Sequence, residues 1–248
     1  MSHTPEKNAD PNNVSAERSP EPSPGSPRVV IACRVMKTEI DCLLPQDGSI
    51  EVHYLDQNLH RSPERMRPLI EEKIAETAEY AAHIVLGYGL CSNGVVGIRA
   101  AGQMLCVPRV HDCVALMLGS RRAYHKAFSE RAGTYYLTPG WVAEQKDPLG
   151  MLENEYVPKL GREDAEWGLR EELKHYTHIV LISGPGMKDR AFLRERAKAN
   201  ADFLEKQYEE VEGSDRFFRK LLFGPYDSED FVCVAPGGAI PQKPFLQG

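Results

Sequence analysis

Residues 83–91 read HIVLGYGLC, which is an apolar run followed by a glycine-containing loop and a cysteine. A short apolar run bounded by turn residues is typical of a buried strand. Two further runs have the same character: residues 29–32, which end at Cys33, and residues 104–108. Together the three runs predict neighbouring strands of one buried, mostly parallel sheet.

The segments around these runs predict the rest of an α/β architecture. Residues 50–55 predict another strand, and Ser62-Pro63-Glu64 carries the cap, proline and acid that open a helix. Four apolar residues lie on one face of that helix: Met66, Leu69, Ile70 and Ile74. Strands that alternate with amphipathic helices indicate a Rossmann-like fold with helices on both faces of the sheet.

The second half of the chain repeats this alternation. The pattern predicts helices at residues 167–176, 189–208 and 217–222, and strands at residues 178–182 and 231–234. The chain is therefore an α/β protein, built either as one sheet or as two packed α/β halves.

Domain boundaries follow from composition. Residues 1–27 are rich in proline, serine and charge and have little to bury, which predicts a disordered leader. Residues 28–248 are expected to form a single α/β domain, with halves at 28–145 and 146–248 as the alternative.

Bulk composition limits the function classes. The chain has 248 residues, 42% of them hydrophobic, and a net charge of −6, which argues against nucleic acid or an anionic membrane as a partner. Residues 1–27 lack a signal-peptide pattern, and no apolar run reaches the length of a membrane span. We therefore expect a cytoplasmic protein whose six cysteines are thiols or metal ligands rather than disulfides. Cys42, Cys106 and Cys233 are expected to pack as small apolar side chains.

The other three cysteines point to a site. Cys33, Cys91, and His111 with Cys113 each follow a different predicted strand. Ligands of open α/β sheets bind beyond the carboxyl ends of the strands, so these side chains are expected to converge. Thiolate and imidazole are preferred ligands of zinc, with iron as the alternative metal. Asp112 is expected to orient His111 or to accept a proton.

Two other interpretations use the same residues. Cys33, Cys91 and Cys113 could be ordinary buried cysteines. Alternatively, Cys91 or Cys113 could act as a metal-free nucleophile, with Asp112 as the third catalytic candidate.

Candidate substrate-binding residues lie in the loops. Asn93, Arg109 and Lys188 could hold a small acidic substrate, and a small thiol is the second substrate class. The loop around Asn93 is either an anion cradle or a tight turn. Tyr136 and Trp141 are expected to pack in the core, with the wall of a pocket as the alternative.

Five stretches carry a family resemblance: residues 32–33, 53–60, 86–94, 108–113 and 133–141. With these motifs the chain resembles the prokaryotic domain-of-unknown-function family 1638, over most of residues 29–240.

The resemblance implies that Cys33, Cys91, His111 and Cys113 belong to the family pattern, although it supplies no reaction. Members are associated with organisms that use corrinoid-dependent methylamine metabolism. A His-x-Cys with a distant cysteine is also similar to zinc methyltransferases that pass a methyl group from a corrinoid to a thiol. In those enzymes the fold is a (β/α)₈ barrel, from which this chain departs in its short length and in the positions of its turns.

The resulting expectation is a metal-binding protein that activates a thiol or transfers a methyl group in corrinoid-linked one-carbon metabolism. If it is an enzyme, it is a metal-dependent transferase, with a corrinoid protein as a candidate partner. A corrinoid cofactor has no support in the residues themselves. The alternatives are a metallochaperone or accessory protein for a corrinoid enzyme, and the metal-free cysteine enzyme.

Overall fold

The computed structural model describes residues 27–81, 83–184 and 186–246. The predicted leader, apart from Pro27, lies outside these residues. The described residues form eight strands: β1 Arg28–Cys33, β2 Ile50–Leu55, β3 His83–Gly87, β4 Met104–Pro108, β5 Thr134–Leu137, β6 His178–Ser183, β7 Gln207–Glu212 and β8 Phe231–Val234. None of the helices in this part of the chain is long and apolar enough to cross a membrane.

Ten α-helices connect the strands: α1 Lys37–Asp41, α2 Pro63–Thr77, α3 Cys113–Met117, α4 Arg121–Glu130, α5 Pro139–Ala143, α6 Pro148–Met151, α7 Val157–Leu160, α8 Arg162–Glu172, α9 Arg190–Leu204 and α10 Arg216–Phe223. Short 3₁₀ turns occupy Arg34–Met36, Gln57–Arg61 and Lys243–Leu246, and one π turn occupies Leu152–Tyr156.

The strands form two sheets, and the expected α/β class with mostly parallel strands is confirmed. The larger sheet has the order β2-β1-β3-β4-β8. Its first four strands are parallel, and β8 runs antiparallel to β4 at the edge. The smaller sheet has the order β5-β6-β7 and is parallel throughout.

Burial explains why these segments pair as they do. Val29, Ile84 and Leu105 on the three central strands are fully buried, as expected for strands covered on both faces. The sheets do not divide the chain at residue 145, because β5 precedes that point and β8 returns to the larger sheet.

Two predicted elements differ from the structure. The helix predicted to reach residue 208 ends at Leu204, where Glu205 adopts a left-handed conformation with φ of 57°. The chain then forms β7, whose sequence QYEEVE is acidic and offers no apolar run to recognise. The helix predicted at residues 167–176 instead spans Arg162–Glu172. Pro139 and Gly140, a dipeptide typical of turns, begin α5, which Thr138 caps.

Three cysteines depart from the expected packing. Cys42 is exposed rather than packed among apolar side chains. Cys106 and Cys233 form a disulfide between β4 and β8, and their Cα atoms lie 4.1 Å apart. The two residues are directly opposite in the antiparallel register, which brings their side chains together. The prediction that both pack as free thiols is therefore wrong.

The two sheets are joined through α1 and α5. A Cβ atom on Gly140 would lie 1.9 Å from the carbonyl oxygen of Val35, so only glycine permits this approach. Glu39 of α1 is buried beside it and accepts a 3.0 Å hydrogen bond from the N–H of Gly140.

Candidate functional site

Three free cysteines gather at the carboxyl edge of the larger sheet. Cys33 ends β1, Cys91 follows β3, and Cys113 begins α3 after β4. Their exposed fractions are 1%, 7% and 7%. Cys33 and Cys91 both act electrostatically on Cys113, which places the three thiols in one neighbourhood, called here the thiol cluster.

Burial controls the chemistry of these thiols. Loss of hydration raises the pKa of Cys33 to about 12. Burial also raises the pKa values of Cys91 and Cys113, and the neighbouring thiols raise them further, because one negative charge opposes the next. Without a cation the cluster is therefore neutral near pH 7, and none of its thiols has the lowered pKa of a reactive cysteine.

The turn that carries Cys91 is strained. Cys91, Ser92 and Asn93 have φ angles of 46°, 55° and 67° in succession. Each non-glycine residue in this left-handed region costs roughly 1–2 kcal/mol. The turn is fixed to the neighbouring loop, since the N–H of Cys91 donates to the carbonyl oxygen of His111 at 3.1 Å. Strain that surrounding contacts maintain is common at functional sites.

Gly89 allows this loop to pack closely against the chain at Asp112. A Cβ atom on Gly89 would lie 2.8 Å from the Cα and N atoms of Asp112. Of the two interpretations of this loop, the tight turn therefore has direct support in the geometry.

Asp112 supports the entry of the chain into α3. One carboxylate oxygen accepts the N–H of Val114 at 2.9 Å, and the other accepts the hydroxyl of Tyr124 at 2.7 Å. Asp112 is also close enough to raise the pKa values of Cys91 and Cys113. It is therefore a fixed negative group at the border of the thiol cluster.

His111 differs from the three thiols in burial. Its side chain is exposed, although its backbone carbonyl holds the Cys91 turn. Across residues 27–81, 83–184 and 186–246, no group of three or more His, Cys, Asp or Glu side chains is arranged to hold a metal ion. The four-ligand metal site therefore stays a prediction.

The predicted substrate-binding residues are dispersed. Asn93 is exposed and accepts a 2.9 Å hydrogen bond from Gln242. Arg109 donates to the carbonyl oxygen of Ser228 at 3.0 Å. Lys188 is exposed on the loop before α9. Their role in binding stays a prediction.

A cavity of about 300 Å³ adjoins the cluster between the two sheets. Asp112 and Cys113 contribute to the lining, and half of the other lining residues are aromatic. The aromatic residues of the wall are Tyr124, Phe128, Tyr135, Tyr136, Trp141 and Tyr176. Tyr136 and Trp141 thus line a cavity, which was the alternative to simple core packing. Arg131, which also lines the cavity, forms an ion pair with Glu209.

Two polar side chains near the cluster were not assigned from sequence. The hydroxyl of Tyr88 and the Nε2 atom of His60 are buried without a hydrogen-bond partner among the described residues. Tyr88 directly follows β3, and His60 lies in the 3₁₀ turn after β2. The rule that sites form beyond strand ends would have included both, but neither residue type is distinctive by itself.

The matching protein family is described as a protein family of unknown function, DUF1638, and the match covers residues 54–222. This range includes His60, Cys91, His111 and Cys113, whereas Cys33 precedes it. Comparisons with the curated proteins and with the solved structures gave no match. Because the match spans more than half of the chain and includes the loops that build the cluster, the chain belongs to the DUF1638 family.

Proposed function

We propose that this protein binds a metal ion, with zinc first and iron second, through Cys33, Cys91 and Cys113. The observation that carries the proposal is the convergence of three buried free thiols from the ends of three adjacent strands. Sulfur donors suit a soft or borderline metal. His111 is left out of the primary ligand set because its side chain is exposed.

Electrostatics support a cation at this position. Three thiols that are buried together can lose their protons only if a positive charge offsets the cost, and a coordinating metal does this. Because no metal-holding group is preformed in the described part of the chain, binding requires the thiol side chains to rearrange. The metal-free nucleophile is the weaker alternative, since burial raises the pKa values of Cys91 and Cys113.

The chemistry proposed for the site is thiol activation or methyl-group transfer. A bound metal would keep a thiolate reactive at neutral pH. The protein itself supplies the fixed Asp112 carboxylate and the aromatic cavity, which would exclude water from a substrate beside Cys113. A small thiol suits the aromatic wall, and Arg131 is the cationic group of that wall for an acidic substrate.

The proposal also covers the cellular setting. We place the protein in the cytoplasm, with a corrinoid protein as a partner and without a role for nucleic acid. The Cys106–Cys233 disulfide weighs against a reducing compartment, so the mass of the non-reduced protein is an additional test.

The test is elemental analysis of protein purified without oxygen or chelators. We expect roughly one zinc or iron per chain, as for a single mononuclear site. The double variant Cys33→Ser/Cys113→Ser should lose it, whereas Cys42→Ser, at the exposed free cysteine, should retain it. Because serine variants can misfold, alkylation of the wild-type thiols is measured in parallel, and removal of the metal should accelerate it. Protein that stays metal-free after zinc reconstitution would overturn the proposal.

A further inference from the structure

The cavity between the two sheets has a wall rich in aromatic rings. Six of its fourteen lining residues are aromatic, and they come from α4, β5, α5 and the chain between α8 and β6. These residues are Tyr124, Phe128, Tyr135, Tyr136, Trp141 and Tyr176. With a volume of about 300 Å³, the cavity is large enough for a small organic molecule.

Hydrogen bonds within the protein engage the polar ends of three of these rings. The Nε1–H of Trp141 donates to the carbonyl oxygen of Lys146 at 2.8 Å, and the hydroxyl of Tyr135 donates to the same oxygen at 3.4 Å. The hydroxyl of Tyr124 donates to Asp112 at 2.7 Å. Because these donors are engaged, the three side chains offer a ligand mainly the surface of their rings.

The positive charges of the protein contact other rings. Lys37 lies over the ring of Tyr54, and Arg170 lies over the ring of Phe203. Among the described residues, no lysine or arginine makes a cation–π contact with a ring of the cavity. The ring faces of the wall are therefore not covered by a cation of the protein itself.

Asp112 supplies a negative charge to the cavity. Its hydrogen bonds among the described residues are to neutral donors, the N–H of Val114 and the hydroxyl of Tyr124. Arg131 also lines the cavity, but it pairs with Glu209, which lies outside the lining. Besides burial, the hydrogen bond and the charge of Asp112 raise the pKa of Tyr124, so this negative charge acts on the ring wall.

This combination of a carboxylate and ring faces selects ligands by charge. An anion would meet the Asp112 carboxylate and the negative faces of the rings. A neutral apolar molecule would remove water from the carboxylate without offsetting its charge. A quaternary ammonium ion is attracted to both, and its recognition by several rings is the common use of aromatic cages.

We propose that this cavity binds the quaternary ammonium group of a small organic cation, with the aromatic rings against its alkyl groups and Asp112 as its counter-ion. The inference deepens the proposed function, since it assigns a charged group to the substrate beside Cys113. The thiol or acidic group of that substrate would belong to the same molecule. Binding of the ammonium group itself needs no metal ion.

The test compares two probes of nearly equal shape. Choline carries a quaternary ammonium group, whereas 3,3-dimethyl-1-butanol has carbon in place of the nitrogen and therefore no charge. Calorimetric titration should show that choline binds at least about 10-fold more tightly, a ratio that cation–π contact in a desolvated site supplies. Asp112→Asn keeps a side chain that can cap α3, and it should bring this ratio towards one.

The two tryptophans of the chain provide a matched readout. Trp141 lines the cavity, whereas Trp167 on α8 is 68% exposed and does not line it. In Trp167→Phe the tryptophan fluorescence comes from Trp141, and saturating choline should change it. In Trp141→Phe the fluorescence comes from Trp167 and should not respond. Both variants keep an aromatic ring at the substituted position.

The outcomes separate this inference from the proposed function. The titration is run on the protein as purified and again after treatment with a chelator, and choline should bind in both cases. The inference is overturned if choline does not bind, if both probes bind equally well, or if choline changes the fluorescence of Trp167 instead of Trp141. None of these results alters the metal content that tests the proposed function, and the two probes compared on the wild type need no variant.

Discussion

The carboxyl edges of the two sheets differ sharply, although both belong to parallel strands. At the larger sheet, three thiols and a phenol are buried near a half-buried imidazole, and the phenol hydroxyl and one imidazole nitrogen lack hydrogen-bond partners among the described residues. At the smaller sheet, an open cavity of about 460 Å³ is lined by Ser183 and by charged groups such as Arg190 and Glu210. The carboxyl ends of parallel strands alone therefore do not define a site. The two edges differ because polar groups at the larger sheet are buried without hydrogen-bond partners among the described residues.

At the carboxyl edge of the smaller sheet, several polar side chains have hydrogen-bond partners. Ser183 donates to the carbonyl oxygen of Val211 at 3.1 Å, and Arg194 binds Glu210 through two bonds of 2.6 and 3.0 Å. These groups need no ligand to offset desolvation. The comparison leads us to place the chemistry at the larger sheet.

The largest expected effect is on the pH dependence of the free energy of unfolding, to which two carboxyl groups contribute in opposite directions. Burial raises the pKa of Glu39 from its ordinary 4.5 to about 7, whereas Arg194 lowers the pKa of Glu210. Between pH 4.5 and 7 the folded state holds the Glu39 proton more tightly than the unfolded state, so stability falls as pH rises through this window. The shift corresponds to about 3 kcal/mol.

Denaturant unfolding of wild-type protein and Glu39→Gln from pH 4.5 to 8 measures this effect. The wild type should lose stability relative to the variant as pH rises, and the difference should level off above pH 7. If the free energies of unfolding of the wild type and the variant change equally with pH across this range, the pKa of Glu39 is not raised in the folded state. Glu210 should contribute in the opposite direction and weakly, because it is largely solvated.

A second contrast uses one glycine from each edge. Gly89→Ala places a Cβ atom 2.8 Å from the backbone of Asp112, whereas a Cβ atom on Gly184 meets nothing within 4 Å. We expect Gly89→Ala to lower the free energy of unfolding by about 1–3 kcal/mol, as overpacking does. Gly184→Ala should stay within about 0.5 kcal/mol of the wild type. Equal urea midpoints for the two variants would show that the loop at Gly89 is not tightly packed.

The smallest effect is expected at the ion pair of the smaller sheet. Arg194 is exposed and Glu210 is partly exposed, so Arg194→Ala should cost only about 0.2–1 kcal/mol. The cost should shrink in 1 M salt, where exposed charges are screened. If thermal unfolding shows a larger loss of stability that does not depend on salt, the ion pair is more buried than the open cavity indicates.

Much of the fold was predictable because apolar periodicity is a local signal. The strands at residues 50–55, 104–108 and 231–234 match their predicted bounds. β7 was missed because its stability depends on pairing with β6 and on arginine partners such as Arg131 and Arg194, which are distant in sequence. The Cys106–Cys233 disulfide was missed for the same reason, since the register of β8 against β4 creates it.

The sequence by itself determined the α/β class and the three cysteines that follow strands, because hydrophobic spacing and strand ends can be read along the chain. Only the tertiary structure decided how deeply each nearby histidine is buried. His60 and His111 are equally polar in sequence, but burial depends on how four strand ends pack beside one another. That packing encloses His60 with Tyr88 and leaves His111 exposed.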